Sequence, residues 1–368
     1  MRGAVKIGKI AGVPIKVHWS FSFLVVLLVV AEFGDNAHAT FSTIWRLIVW
    51  VVVLFASVTI HELAHCAVAR RRGLTVRDII LLPIGGVSEI SGLPAAPKTE
   101  RDIAIAGPAM SFVLAILLGL VAFLVGGPIW PPALSVSALP LVSDLAWMNL
   151  LLCGFNLLPA LPMDGGRVLR AILAGRGDPL KATRIASSVA VALGAGMIVV
   201  GLAVYPDIFL VFIGAFVMLG ANAERRAATV QASFNGLRVG DVMAHDPTTV
   251  LAEVTVQQLL PWLQAYPGRA VPIVENDRYL GIAAVEDLIL QPGATVGEAC
   301  DRVAPVLDAS QPLYPTALEA FSRVPRNQLA VMAGGHVVGV LYRWTLQAVV
   351  RQNQGPLAAA QRGGSRAA

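Results

Sequence analysis

The sequence contains little charge and few cysteines, and both shortages restrict what the protein can be. Only 14% of its 368 residues are charged and 56% are hydrophobic, with a mean hydropathy of +0.70. These values exclude an ordinary soluble protein and predict several membrane spans. The cysteines, Cys66, Cys153 and Cys300, form no CxxC motif, so no disulfide framework is indicated. The net charge is +5, but no basic stripe carries interleaved aromatic residues, which argues against nucleic-acid binding.

Long hydrophobic runs are confined to the part of the chain before about residue 224. Six of them are candidates for membrane-spanning helices. They cover residues 19–33, 45–69, 102–126, 140–160, 185–204 and 208–223. The last run is short for a span, so we expect it to tilt little or to be partly interfacial. After Glu224 the composition becomes that of a soluble domain.

Basic residues alternate with these runs. Lysine and arginine occur before the first run and after the second, fourth and sixth, most densely at Arg70, Arg71 and Arg72. Because basic loops remain in the cytoplasm, we expect both termini there, in a multi-pass protein of a bacterial cell membrane. The first run could instead be a cleaved signal peptide, with residues 37–39 as its cleavage site. That site lies well beyond the apolar core, which favours a membrane anchor.

Residues 59–69, TIHELAHCAVA, place three polar groups inside the second run. His61 and His65 are four residues apart and share one helix face, so both imidazoles can reach one ion. Glu62 projects to one side, where it can act as a general base. The spacing is typical of zinc metalloproteases. The alternative is a pair of buried histidines that bond neighbouring helices. Cys66 faces away from this side and is interpreted as a small apolar filler.

A catalytic zinc site needs a third protein ligand, and Asp164 is the favoured candidate. It follows two prolines and precedes Gly165 and Gly166, so the fourth run should be broken there. Broken backbone at membrane depth is tolerated where it lines a protein-walled cavity. A turn or capping role for Asp164 is the alternative reading. Three other acids near span ends are weaker candidates for the ligand: Glu89, Asp102 and Asp144.

These motifs together resemble the site-2 protease family of intramembrane zinc metalloproteases. The resemblance is carried by HELAH in the second run and by an Asn-x-x-Pro-x-x-x-x-Asp-Gly pattern at residues 156–165, with support from LLPIGGVSEI (81–90) and AIAGPAMSF (104–112). It implies one zinc ion per chain, held by His61, His65 and Asp164, with Glu62 as the base. It also implies that Asn156 is a polar group near the scissile carbonyl.

The resemblance further implies a hairpin at Gly85 and Gly86. A strand edge there could pair with an extended substrate by β-augmentation. A simple tight turn is the alternative reading of the two glycines.

A repeat occupies the soluble part. Residues 270–288 align without gaps on residues 328–346, an offset of 58, and the pattern resembles a tandem pair of CBS domains. We expect a polytopic α-helical membrane domain (1–228), a cytoplasmic α/β CBS pair (229–353, with repeats at 237–292 and 295–353) and a disordered tail (354–368).

The family's nucleotide-binding pattern is incomplete in both repeats. The first copy keeps the ribose-binding acid as Asp287 but has Ala284 in place of a hydroxyl residue. The second copy has Tyr342 and Thr345 at the corresponding positions. An adenosine nucleotide is therefore possible at one site, and a module for homodimerisation or substrate docking is the favoured alternative.

By this resemblance the protein cuts membrane-tethered regulators, such as anti-sigma or pro-sigma factors, within or next to their spans, under modulation by the CBS pair. A transporter gated by CBS domains is the alternative. No inverted repeat is found among the runs, and a base beside two ligands is needed for hydrolysis but not for transport. Catalysis is therefore favoured.

Overall fold

The computed structural model describes residues 3–20, 22, 41–82, 85–91, 96–127, 138–204, 206–266 and 268–354. The chain divides into two units, Met1–Arg226 and Ala227–Ala368, and each is treated by itself below. The expected first span, 19–33, and the expected disordered tail, 354–368, lie almost entirely outside the described residues.

Six α-helices begin among the described residues of the first unit. They are α1 (Phe41–Arg71), α2 (Pro97–Leu124), α3 (Ala138–Asn156), α4 (Asp164–Ala174), α5 (Pro179–Val199) and α6 (Ile208–Phe234). Local sequence sets several ends. Proline occupies the first position of α2 and of α5, where no amide donor is needed. Asp178 caps α5 by accepting a bond from the Leu180 amide at 2.9 Å.

Four described helices are long and apolar enough to cross a membrane. They are Ile48–Arg71, Pro97–Leu124, Pro179–Val204 (α5 with a following π-helical turn) and Ile208–Phe234. They correspond to four of the predicted runs. The run predicted at 140–160 forms a shorter apolar helix, Leu141–Asn156. The last predicted run, 208–223, forms the first part of α6, which continues as one helix through the polar residues after 223.

A four-stranded sheet completes the first unit. Its strands are β1 (Ala4–Ile10), β2 (Val13–His18), β3 (Thr75–Leu82) and β4 (Gly85–Ser91), in the order β1-β2-β3-β4. β2 and β3 are parallel, and the other pairs are antiparallel. Val13 and Ile15 of β2 pack with Val58, Cys66 and Ile79, which fixes the sheet against α1. The β3–β4 hairpin was predicted, whereas β1 and β2 were not.

Helix α4 is a second feature that the sequence patterns did not predict. Its first residues, Asp164, Gly165 and Gly166, resemble a loop, and glycine is a poor helix former. Tertiary packing overrides that propensity, because all three are buried. The helix buries this end while leaving polar residues such as Arg167 and Arg170 on other faces.

The second unit contains the predicted repeat. Its strands are β5 (Ala244–His245), β6 (Val250–Leu251), β7 (Ala270–Glu275), β8 (Arg278–Ala284), β9 (Leu307–Asp308), β10 (Gln328–Ala333) and β11 (His336–Tyr342), and its helices are α7 (Val256–Ala265), α8 (Val285–Leu288), α9 (Val296–Ala299), α10 (Thr316–Arg323) and α11 (Arg343–Gln354). The β7–β8 hairpin and the β10–β11 hairpin are antiparallel and offset by 58 residues, as the sequence alignment predicts.

Each of the two repeated hairpins lies in its own sheet and packs in its own hydrophobic core, and β5, from the first repeat, pairs with β11 in the second sheet. The sheets are ordered β6-β7-β8 and β5-β11-β10-β9. Leu263, Ile273 and Leu288 are fully buried in the first core, and Leu313 and Leu341 in the second. The two hairpins that repeat in the sequence therefore also pack in the same way.

Helices α5 and α6 cross with their backbones in close approach at two glycines. A Cβ added at Gly194 would lie 2.6 Å from the Gly214 carbonyl oxygen and 2.7 Å from Met218 Cγ. Gly194→Ala should therefore lower the stability of the membrane unit by about 1–3 kcal/mol through overpacking. Thermal unfolding in detergent micelles measures the change.

Gly196→Ala is the matched control, since an added Cβ there meets no described atom within 4 Å. It should be neutral or slightly stabilising, because alanine is the better helix former. Equal loss of stability in both variants would contradict close packing at Gly194.

Candidate metal centre

His61, His65 and Asp164 converge on one point. The Nε2 atoms of His61 and His65 each lie 3.1 Å from Asp164 Oδ2. All three side chains are buried, and their candidate ligand atoms lie within 4.8 Å of one another. Within the part of the chain that the structure describes, no other group of three or more His, Cys, Asp or Glu residues is arranged to hold a metal ion.

Both imidazoles are oriented from behind by helix α2. His61 Nδ1 lies 2.9 Å from the Ser111 hydroxyl, and His65 Nδ1 lies 2.7 Å from the Ile103 carbonyl oxygen. A carbonyl oxygen can only accept, so Nδ1 of His65 carries the proton and Nε2 presents its lone pair to the common point. Such outer partners fix the ring orientation of metal-ligating histidines.

Helix α2 approaches the two histidines closely because of a glycine. Ile103, Gly107 and Ser111 are spaced four residues apart and share one helix face. A Cβ added at Gly107 would overlap the ring atoms of both histidines, and would lie only 2.5 Å from His61 Nε2. The space over the ligand atoms is therefore kept open by the missing side chain.

Asp164 reaches the centre because the chain folds back between α3 and α4. Helix α3 ends at Asn156, and Asp164 is the first residue of α4. A Cβ at Gly165 would overlap the Leu157 and Leu158 carbonyls, and one at Gly166 would overlap the backbone at residues 160 and 161. The two glycines thus let the connecting segment lie directly against the start of α4, as expected for a broken helix.

The donor set fits zinc. Two imidazole nitrogens and a carboxylate oxygen are ligands that zinc takes in catalytic sites, and tetrahedral ligands at about 2.0–2.1 Å from the ion are themselves separated by about 3.3 Å. The observed nitrogen-to-oxygen separations of 3.1 Å match this value. The open space over Gly107 leaves room for the ion.

Glu62 lies beside the centre and against strand β4. A Cβ at Gly86 would lie 2.8 Å from Glu62 Cδ and 2.9 Å from Glu62 Oε1, so only glycine leaves space for this carboxylate. Gly85 has a φ of +134°, in a region that disfavours other residues. Glycine is therefore favoured at position 85 by the backbone conformation and at position 86 by the space that Glu62 occupies.

Asn156 and the three weaker acidic candidates have other partners or positions in the structure. Asn156 ends α3 and donates from Nδ2 to the Leu152 carbonyl at 2.9 Å. Of the weaker ligand candidates, Asp102 pairs with Arg72 and Arg101, and Glu89 lies 3.6 Å from Arg77. Asp144 is buried in α3. None of these acids belongs to the metal-binding group.

Asp287 of the second unit is engaged by an arginine. Arg326 donates to both Asp287 oxygens at 2.7 Å and to Asp301 Oδ2 at 3.0 Å. The Ala284 amide also donates to Asp287, at 2.8 Å. Burial by itself would lower the pKa of Arg326, but the bonds to the two aspartates raise it. The acid that would bind a ribose is thus already paired within the chain.

Comparison with known proteins agrees with this geometry. The model of peptidase family M50 matches residues 49–138 and 125–197, and the CBS domain model matches residues 239–294. A zinc metalloprotease of Methanocaldococcus jannaschii is 31% identical over 341 residues, which are 93% of this chain and 94% of the relative. The chain belongs to peptidase family M50.

Two further proteins are similar to the chain. The Mycobacterium tuberculosis protein Rip3, named as a zinc metalloprotease, is 32% identical and shares 93% of this chain and 91% of its own length. The solved site-2 protease of Methanocaldococcus jannaschii is 37% identical, covers 61% of this chain and 95% of its own, and has a TM-score of 0.48. As a member of the family, the protein is a zinc metalloprotease of the site-2 type.

Several residues of this M50 centre were not assigned by sequence reasoning. Ser111, Gly107 and the Ile103 carbonyl support the ligands from α2. The stretch AIAGPAMSF supports the family resemblance, but no role for its residues follows from the sequence, since contact between two helices is not visible in either one alone. A glycine four residues from a serine, on a helix facing the histidines, is the signal that could have found them.

Gly107 yields a test of the metal centre. Gly107→Ala should reduce bound zinc to well below one ion per chain, because the new methyl group occupies the space beside both Nε2 atoms. Gly119→Ala in the same helix should bind zinc normally, since the nearest described atom to its added Cβ is 3.9 Å away. Mass spectrometry of the purified proteins measures their zinc content. Full zinc occupancy in Gly107→Ala would contradict the role of Gly107 in keeping space for the ion.

Proposed function

We propose that this metalloprotease hydrolyses peptide bonds within or next to the membrane spans of membrane-tethered regulatory proteins. The observation that carries the proposal is the buried centre of His61, His65 and Asp164 on apolar helices, with the Glu62 carboxylate beside it. The basic residues at the end of α1 support a position of the centre in the cytoplasmic half of the membrane. His61 precedes Arg70 by nine residues, or roughly 13 Å along a helix.

The proposed roles follow from position. His61, His65 and Asp164 hold the zinc ion. When bound there, zinc supplies a Lewis acid that lowers the pKa of a coordinated water towards about 7 and polarises a carbonyl. Glu62 accepts a proton from the attacking water at a carboxylate oxygen and delivers it to the leaving amide nitrogen. Asn156 would serve as a polar contact for the scissile carbonyl after turning its amide away from Leu152.

The substrate would bind as a strand at β4. In the sheet order β4 is an edge strand, and no described strand pairs with its outer side. Gly86 of this strand lies against Glu62, so a peptide added to β4 would pass close to the base. Pairing with an edge strand also holds the substrate extended, which exposes a peptide bond that a helix would shield.

Anti-sigma and pro-sigma factors are the substrate class that we propose. A stretch of 120 residues is 31% identical to stage IV sporulation protein FB of Bacillus subtilis, a protein named for a developmental process, which supports regulatory proteins as substrates. We place the protein in the cell membrane with both termini in the cytoplasm, because the basic residues cluster at alternate ends of the spans.

The second unit would act as a regulatory module for docking or homodimerisation. We propose a membrane domain at 1–228 and a CBS pair at 229–353, which includes a second copy beyond the matched residues 239–294. Asp287 is paired with Arg326, and the second copy carries no acid at the corresponding position. Both points favour docking over nucleotide binding.

Replacement of the base should separate metal binding from cleavage. Glu62→Gln should keep one zinc per chain and lose at least about 100-fold in cleavage rate, because the amide cannot accept the proton. The full-length protein is reconstituted in vesicles with a single-span, membrane-tethered regulator fused to a reporter, and cleavage and bound zinc are both measured.

Glu253→Gln, at an exposed position of the second unit, is the control for the same chemical change and should cleave normally. Equal cleavage by wild type and Glu62→Gln would remove Glu62 as the base. Absence of zinc from both would remove the metal site.

A second experiment concerns the CBS pair. A ligand present at 100 times its Kd raises folding stability by about 2.7 kcal/mol. Adenosine nucleotides at ~1 mM, a concentration that would reveal a Kd of ~10 µM through this linkage, should leave the thermal unfolding of the second unit unchanged. The physical reason is that Arg326 already neutralises Asp287.

Arg326→Gln, assayed in parallel, provides the comparison in which Asp287 is released. A nucleotide-dependent rise in the unfolding temperature of the wild type would contradict the proposed docking role and favour nucleotide binding instead.

A further inference from the structure

Strand β4 presents two residues to Glu62. Gly86 and Ser88 are two positions apart and therefore lie on the same face of the strand. In register with β3, they are opposite Leu81 and Ile79. Gly86 makes room for the Glu62 carboxylate, and the Ser88 hydroxyl donates to Glu62 Oε2 at 2.5 Å. One strand face thus both admits the carboxylate and holds it.

The direction of the Ser88 hydroxyl is set by a third residue. Cys66 lies one helical turn after Glu62, is 1% exposed, and donates from Sγ to Ser88 Oγ at 3.4 Å. Because Ser88 Oγ accepts from the thiol, its own hydrogen is free for Glu62 Oε2. The earlier interpretation of Cys66 as a filler is therefore incomplete. Cys66, Ser88 and Glu62 form a chain of hydrogen bonds that ends on the base.

We propose that Ser88 is a positioning residue for the general base. Its hydroxyl engages Oε2 and so selects one orientation of the carboxylate, in which Oε1, over Gly86, is the oxygen left to accept from the attacking water. This proposal rests on the function proposed above. Without Ser88 the carboxylate would turn among several orientations, and only a fraction of these would reach the water.

Because of this arrangement, Ser88 should affect the catalytic step through Glu62 and should not affect zinc binding. Ser88 is bonded to Glu62 and Cys66, whereas the ligands are oriented by Ser111 and Ile103 on another helix. Removing the Ser88 hydroxyl should therefore leave zinc in place. It should also leave substrate pairing in place, because strand addition uses the β4 backbone.

The test compares Ser88→Ala with Ser88→Thr in the reconstituted full-length protein. Loss of an outer hydrogen-bond partner at a metal site typically costs about 10–100-fold in metal affinity or activity, and we expect a loss at the lower end of this range for a partner of the base. Ser88→Ala should lower kcat by about 10-fold, with KM within about twofold of wild type, as expected when only transition-state positioning is lost. Bound zinc should remain at one per chain. Ser88→Thr, which restores a hydroxyl, should recover most of kcat.

Ser187→Ala controls for the removal of a buried serine hydroxyl elsewhere in the membrane unit, since Ser187 is 1% exposed in α5. It should cleave as wild type does. A wild-type kcat in Ser88→Ala would overturn the proposal. So would loss of zinc, a rise in KM without a fall in kcat, or failure of Ser88→Thr to recover activity in a folded, zinc-loaded protein.

A second readout does not depend on cleavage. Infrared difference spectra between each protein and its Glu62→Gln counterpart isolate the Glu62 carboxylate band. The band should shift in Ser88→Ala and stay in place in Ser88→Thr, because only the first loses the hydroxyl donor. An unshifted band in Ser88→Ala would exclude the hydrogen bond. If wild type and Glu62→Gln cleave equally, the proposed function fails, and the infrared result still decides whether Ser88 holds Glu62.

Discussion

The close approach of two imidazoles and one carboxylate in apolar surroundings is the constraint on which the first unit depends. Each of these groups is costly to bury without a partner. Asp164 Oδ2 lies 3.1 Å from both Nε2 atoms, and Ser111 and Ile103 engage the far sides of the rings. Three segments distant in the chain must therefore be held against one another. Helices α1 and α2 and the start of α4 meet for this reason.

These three segments can approach one another because glycine occupies several of the contact positions. Gly107 makes space over the ligand atoms, Gly165 and Gly166 let the chain fold back onto α4, and Gly86 admits Glu62. In each case an added Cβ would overlap a functional side chain or a neighbouring backbone. The apolar helices provide the surroundings, and the glycines decide how closely the parts approach. Glycine at position 194 likewise allows α5 and α6 to approach each other closely.

The second unit shows how a repeat can keep its packing while its polar residues diverge. Strands β7 and β8 recur as β10 and β11 with equal length and an offset of 58 residues. Burial of Ile273 and Val331 at equivalent positions preserves the cores. The polar positions are not preserved, since Asp287 in one copy corresponds to Thr345 in the other. Arg326 then joins Asp287 and Asp301 in an internal ion-pair group. The packing is thus common to both copies, whereas the acidic residue at position 287 is not.

The sequence by itself determined the candidate metal ligands, the candidate base, four of the candidate membrane helices and the repeat. It could do so because these features depend on local spacing: His61 and His65 share a helix face by periodicity, and apolar runs report membrane helices by length. The hairpin at β3 and β4 was predicted, but its partners β1 and β2 were not, because parallel pairing of β2 with β3 joins segments about 60 residues apart.

Only the tertiary structure decided what orients the imidazole rings and what holds Glu62. Asp164 is already the favoured acid by sequence, and the structure agrees with that choice, because Asp102 and Glu89 find arginine partners after folding. Ser88, Ser111 and Gly107 belong to elements that carry no motif of their own for these roles. Their functions arise from contacts between helices and a strand, and contacts of that kind depend on how the elements pack and not on the order of residues within any one of them.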